Sequence, residues 1–262
     1  MWKSYRVLWL SAFVFCLLFS VKYSQADSSK KLPDYQRSVD SASVVYASLH
    51  FPAQEIIDPQ VFSFAFHGYQ RLREAGKLLR PELLTIVDYS LSANTRRLWV
   101  IDLVRRCVLY NIHVAHGQGT GDEFAEHFSN RENSHQTSLG FYTTGDTYQG
   151  EHGLSLHLHG QDEGFNDAAF SRSIVLHGAA YVSESFIAAH KRLGRSWGCP
   201  AVATDLAPKL IRLLQEGTCM FLYYPDASYL SASQWLKKSA KQNALAGMLL
   251  PQNNKIEQES RP

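Results

Sequence analysis

Apolar positions along this chain change their period partway through. Residues 34–49 and 59–75 carry apolar side chains at helical spacing, and Pro52 and Pro59 punctuate the link between them. From Leu83 the spacing becomes that of strands. LLTIVDYS, RRLWVIDL and CVLYNIHVAHG read as three strands, with SANT and a polar Arg pair as the turns. A stretch rich in Gly, Ser and Asn, 117–138, is too polar for core and is expected to run over the surface. SLGFYTT, LSLHLHG and SIVLHGAAYV are further short strands. Residues 205–216 read as a helix closed by Gly217, and CMFLYYP as a last strand. Residues 231–249 have the spacing of one more amphipathic helix, and the final QNNKIEQESRP reads as a frayed end. The pattern predicts an α+β protein on a mostly antiparallel, sandwich-like sheet, with short helices and an N-terminal helical segment over 27–80.

The first residues carry processing information. Lys3 and Arg6 precede a 15-residue apolar run, 7–21, and Ser24-Gln25-Ala26 supplies the small residues of a signal-peptidase site. The run falls short of the roughly 20 residues that a bilayer-spanning helix needs. A cleaved signal peptide over 1–26 and export to the periplasm are therefore expected. The chain holds 26 Lys and Arg against 24 Asp and Glu, and three of the basic residues precede position 27. Such a balance excludes the basic footprint of a nucleic-acid binder. Cys107, Cys199 and Cys219 remain after cleavage, and an oxidising compartment favours pairing. Cys107 and Cys219 each open a strand-like run, so a bridge between them is one reading and two buried free thiols the other.

Candidate chemistry lies in His177-Gly178 and, 22 positions after the histidine, in GRSWGCPA around Cys199. A thiol is a strong nucleophile only as thiolate, and a nearby imidazole is the usual means of reaching that state. Gly198 clears space and can leave main-chain N–H groups open toward an incoming carbonyl. Pro200 has no N–H and pushes Cys199 away from helical geometry, which sets the thiol at a bend.

With these residues the chain resembles the L,D-transpeptidase catalytic family of the YkuD type, cysteine enzymes that act on bacterial peptidoglycan. The likeness runs from about Leu83 to Pro225 through LTIVDYS, RLWVIDL, VAHGQGTG, SLGFYTTGDTYQGEHGLSLHLHG, IVLHGAAYV and GRSWGCPAV. It implies a catalytic domain over 81–228, with 229–262 as a C-terminal helix and polar tail. It also implies Cys199 as nucleophile, His177 as its base, Gly178 beside the imidazole and the Gly198-Cys199 main chain as oxyanion donors. The donor implied is a tetrapeptide stem of peptidoglycan. The acceptor implied is an amine, from another stem, an outer-membrane protein or a D-amino acid, or else water. Two positions depart from the family pattern: Trp197 stands where His is frequent, and Ala201 where Asn or Arg is frequent. No cofactor is implied, and a monomer is expected.

Around that centre, His152, Tyr142, Ser196 and Trp197 are candidates to line a donor pocket. Arg195 suits a stem-peptide carboxylate by bidentate pairing, whereas Arg172 reads as a solvated surface charge. A competing reading is an exported zinc peptidase built on His152, His157 and His159, since H-x-H on a strand puts both rings on one face. No HExxH helix supports it. A non-catalytic wall-binding module is the alternative outside enzymes. Papain-like and NlpC-type hydrolases place Cys before His, the reverse of the order here.

Overall fold

The helical spacing before residue 80 forms two helices, α1 (Asp34–Ala47) and α2 (Pro59–Glu74), in a computed structural model that describes residues 34–51 and 56–237. Asp58 starts α2 by accepting the Gln60 and Val61 N–H groups at 2.7 and 3.2 Å, and Pro59 fills the first turn, where no N–H is needed. Val61, Phe62, Ala65, Phe66, Tyr69 and Leu72 make the buried stripe of α2.

The rest of the chain forms β1 (Leu83–Asp88), β2 (Leu98–Asp102), β3 (Cys107–Ile112), β4 (Gly140–Gly150), β5 (Gly153–Gly160), β6 (Val175–Ala179), α3 (Glu184–His190), β7 (Ala201–Ala203), α4 (Ala207–Leu214), β8 (Cys219–Tyr223) and α5 (Ala227–Ala232). The strands make one eight-stranded sheet in the order β3-β2-β1-β8-β4-β5-β6-β7. Pairing is antiparallel except for β1 with β8 and β6 with β7. This is the mostly antiparallel α+β class that the sequence predicts.

The sheet has apolar cores on both faces. Leu84, Ile86, Trp99, Ile101, Phe141 and Phe221 pack with the α2 stripe on one side. Leu83, Val87, Leu98, Val100, Leu156, Leu158, Leu176 and Leu222 pack with Leu210, Ile211 and Leu214 of α4 on the other. Strands β1 and β8 are buried at every position. Their sequences are correspondingly apolar runs without alternation.

Gly68 shows how closely α2 meets the sheet. A Cβ there would lie 1.9 Å from the Phe141 ring, which itself stacks on Phe221 at 4.2 Å. Alanine would gain about 1 kcal/mol of helix propensity, but forcing a methyl into that ring costs about 1–3 kcal/mol. Gly68→Ala is therefore expected to lower the urea midpoint of unfolding. A raised midpoint would show that the ring is free to move aside.

The open question of the cysteines is decided and the expected C-terminal helix changes. Cys107 and Cys219 are free thiols. They sit on β3 and β8, with β2 and β1 between them. Three strand spacings of about 4.8 Å exceed the roughly 7 Å that a bridge spans. The helix expected from 231 is replaced, where the chain is described, by the end of α5 and turns through Lys237. Ser233 Oγ donates to the buried Asp162 carboxylate and Trp235 Nε1 to Gln161 O, so tertiary contacts override local helical spacing. The rest of 231–249, the signal segment 1–26 and the final tail lie outside the described residues. Finally, α3 buries none of its side chains and β7 has only three residues, so neither carries a pattern that periodicity can detect.

Candidate active site

Parallel pairing of β6 with β7 sets His177 opposite Ala201, and the His177 N–H donates to Pro200 O at 3.4 Å. The histidine backbone is thus bonded to the residue that follows Cys199. Leu176 points into the α4-side core, which turns the buried His177 ring to the opposite face of the strand. Its Nδ1 lies 3.0 Å from Gly178 O. A carbonyl can only accept, so Nδ1 carries the proton and Nε2 keeps its lone pair. The tautomer is the one a general base requires.

Burial lowers the His177 pKa, the Gly178 carbonyl opposes this, and His152 lowers it further. The His152 ring stacks on His177 at 4.4 Å and 22°. Removing it uncovers the imidazole and deletes a like charge, and both changes favour protonation. In His152→Ala the acid limb of kcat/KM is therefore expected to move to higher pH, as is the His177 titration followed by NMR. An unchanged titration would show that the stack does not tune the base.

The Cys199 turn is laced to the segment 115–118. Ala115 N donates to Ala201 O (2.8 Å), Ser196 N to His116 O (2.9 Å) and Gln118 N to Ser196 O (2.8 Å). Thr137 Oγ1 donates to Gly198 O and accepts from Gly117 N, both at 3.0 Å. Gly198 has φ +123°, and a Cβ there would meet Gln136 O at 2.8 Å, so no other residue fits without strain. The role expected of its N–H changes: it donates to Ser196 Oγ at 3.1 Å and is already engaged. Among the described residues the Cys199 N–H has no acceptor, which leaves it as the main-chain donor open to an oxyanion. Ser196, buried and donating through Oγ to Cys199 O at 2.6 Å, clamps the turn rather than facing substrate.

Cys199 is half-buried. Its S–H donates to Ser173 O at 3.6 Å, and Val175 N–H donates to the sulfur at 3.5 Å. Burial raises the thiol pKa, while the Val175 N–H and then the Arg172 charge lower it. At rest the group is a thiol turned toward Ser173, and no hydrogen bond joins it to His177 among the described residues. Such contacts form on substrate binding in many enzymes.

Other candidates fall in different places. Tyr142 is fully buried in the α4-side core, with its hydroxyl bonded to Ser138 at 2.7 Å, so it is a core residue and not a pocket wall. Arg195 pairs with Asp122 at 2.7 Å and donates to Gly121 O at 2.9 Å, which braces the 118–122 loop at the edge of an open cavity. Trp197 is 72% exposed and stacks on His135 at 5.0 Å, two residues before Cys199 in the same turn. His157 and His159 do share a face, both against the Phe170 ring, but His157 Nδ1 pairs with Asp146 at 2.9 Å while His152 lies on His177. Among the described residues no three His, Cys, Asp or Glu side chains meet as a metal site.

A sequence model of the L,D-transpeptidase catalytic domain matches residues 53–223, well over half of the chain. The chain belongs to that family. Solved structures similar to this L,D-transpeptidase domain include an L,D-transpeptidase from Mycobacterium smegmatis, at 13% identity and a TM-score of 0.34, covering 55% of this chain and 59% of that one. Another is the helical cell shape determining protein Pgp2 from Campylobacter jejuni, at 14% and 0.38, covering 61% and 56%. A third is an L,D-transpeptidase from Xylanimonas cellulosilytica, at 15% and 0.32, covering 73% and 94%. The first two matches span less than two thirds of those chains. No curated protein matches the chain. Membership therefore rests on the sequence match and not on these distant superpositions.

Sequence reasoning missed several groups around the thiol of this L,D-transpeptidase domain: Ser173 and Val175 on the sulfur, Thr137 and His116 under the turn, and His135 beneath Trp197. They come from three separate stretches that only the strand order brings together. The one local sign is polarity that persists through 117–138 without charge repulsion or low complexity.

Proposed function

We propose that this chain is an exported cysteine L,D-transpeptidase that takes its acyl group from a tetrapeptide stem of peptidoglycan in the periplasm. The carrying observation is the β6–β7 register, which sets a buried imidazole with an unprotonated Nε2 on the strand beside the Cys199 turn. Substrate binding breaks the S–H bond to Ser173, and His177 takes the proton. The thiolate then attacks the carbonyl that follows the L-centre of the third stem residue. The Cys199 N–H stabilises the oxyanion. The C–N bond to D-alanine breaks, His177 returns the proton to the departing amine, and a Cys199 thioester remains. An acceptor amine attacks that thioester and loses its proton to His177, which restores the thiol and leaves a new amide. Water entering instead would give a carboxypeptidase.

The purified chain, given disaccharide-tetrapeptide muropeptides, is expected to release D-alanine in a reaction that iodoacetamide abolishes and chelators spare. The opposite pair of responses would support the zinc reading. Binding of peptidoglycan without release would support a non-catalytic module.

A further inference from the structure

Arg172, three positions before β6, is not a solvated surface charge. Its guanidinium is half-buried and donates to Ser129 O at 2.7 Å, to Gln136 O at 2.6 Å and to Ser134 Oγ at 3.2 Å. One fork thus gathers three points of the 129–136 segment. Gln136 O in turn occupies the space that a Cβ on Gly198 would need. Next to Arg172, Ser173 holds a left-handed backbone (φ 55°) and presents the carbonyl that receives the Cys199 S–H. For a serine this conformation is uncommon and must be held by its surroundings.

We propose that Arg172 is a positioning residue for the Cys199 sulfur, strapping the 129–136 segment against the Gly198-Cys199 turn and holding a fixed positive charge beside the thiol. The titratable groups facing the sulfur are Arg172, Tyr89 and Tyr181, with His177 on the adjacent strand. Both phenols are pushed up by burial and stay neutral. Tyr142 and Glu132 also act electrostatically on the guanidinium. A guanidinium keeps its proton throughout the working range, so Arg172 is the permanent cation of this set. A thiolate in so dry a place gains more from one fixed cation than it would in water.

The proposal rests on Cys199 as the nucleophile, but its test reads the thiol and not the transfer reaction. Iodoacetamide labelling of Cys199 is followed by peptide mass across pH in the whole chain, in Arg172→Met and in Arg172→Lys, each checked by circular dichroism. Arg172→Met is expected to alkylate about tenfold more slowly at pH 7, with its midpoint moved to higher pH. Arg172→Lys, which keeps charge but not the fork, is expected to recover most of the midpoint. Amide exchange over 129–136 is expected to stay fast in Arg172→Lys, because lysine cannot bridge three acceptors. If Arg172→Met does not fold, Arg172→Gln, which keeps a donor and drops the charge, is read in the same way. A midpoint unmoved on charge removal overturns the proposal, as does an equal shift in Arg172→Lys. Absence of transfer by the parent chain, with labelling midpoints that move as stated in the variants, would count against the transpeptidase reading and leave the role of Arg172 intact.

Discussion

Cys199→Ala is expected to lower D-alanine release and amide formation by at least about 10³-fold, to the limit of detection, while unfolding within about 1 kcal/mol of the parent chain. The loss is large because no other group takes over. Cys107 lies at the far edge of the sheet and Cys219 is fully buried with its thiol pKa pushed far up by desolvation. The stability change is small because the turn is held by Ser196, Thr137 and the 115–118 main chain, none of which needs the sulfur. Cys199→Ser is expected to be nearly as poor, since a hydroxyl beside the same imidazole loses the intrinsic nucleophilicity of sulfur. Muropeptide turnover with a mass readout, beside urea titrations of both variants, checks this. Activity surviving in Cys199→Ala would remove the covalent mechanism.

Arg97→Ala is expected to cause the greatest loss of stability, about 4 kcal/mol. The guanidinium is fully buried, donates to Leu91 O at 2.7 Å and to Val114 O at 3.2 Å, and lies over the Tyr89 ring at 4.9 Å. Truncation orphans both carbonyls and opens a cavity. Arg97 also donates to His116 Nδ1 at 2.7 Å, which leaves the Nε2 proton to donate to Gly121 O at 3.2 Å. Since His116 O receives the Ser196 N–H, loss of Arg97 loosens the floor of the Cys199 turn as well. Burial first and Arg97 second hold His116 down at about 4. The folded chain therefore binds fewer protons than the unfolded one between that value and about 6.5. Stability from this group is full above about pH 6.5 and is lost as pH falls toward 4, by about 3 kcal/mol. Urea midpoints at pH 7 and 4.5 test both points. Arg97→Ala should be weaker at pH 7 and less sensitive to acid, and a variant matching the parent at both pH values would contradict the burial argument.

Most elements were legible because apolar spacing reports burial directly. LLTIVD and CMFLY are continuous runs and prove to be central strands covered on both faces. The candidate cysteine stands out in the sequence because Gly and Pro around it mark an unusual backbone, and Gly198 has the positive φ to match. Strand order was not legible, since no local pattern records which strands neighbour each other. A bridge between Cys107 and Cys219 was plausible for that reason alone. Tyr142 was misplaced because an aromatic ring near a catalytic segment looks the same in sequence whether its hydroxyl meets substrate or Ser138. The 117–138 stretch looked like solvated surface because it is polar. Part of that polarity is turned inward, through Thr137 Oγ1 on Gly198 O of the Cys199 turn and Gln136 Nε2 on Gly119 O. Arg172 is the sharpest instance, a charge whose partners lie 36 to 43 positions away.

In the proposed reaction the Cys199 sulfur carries the acyl group between donor and acceptor. Intact-protein mass after brief mixing with disaccharide-tetrapeptide and no amine acceptor tests it most directly. A single adduct of the donor less D-alanine is expected, mapped to Cys199 and removed by hydroxylamine. Donor turnover with Cys199 never modified, in the presence of an intact free thiol, would contradict it.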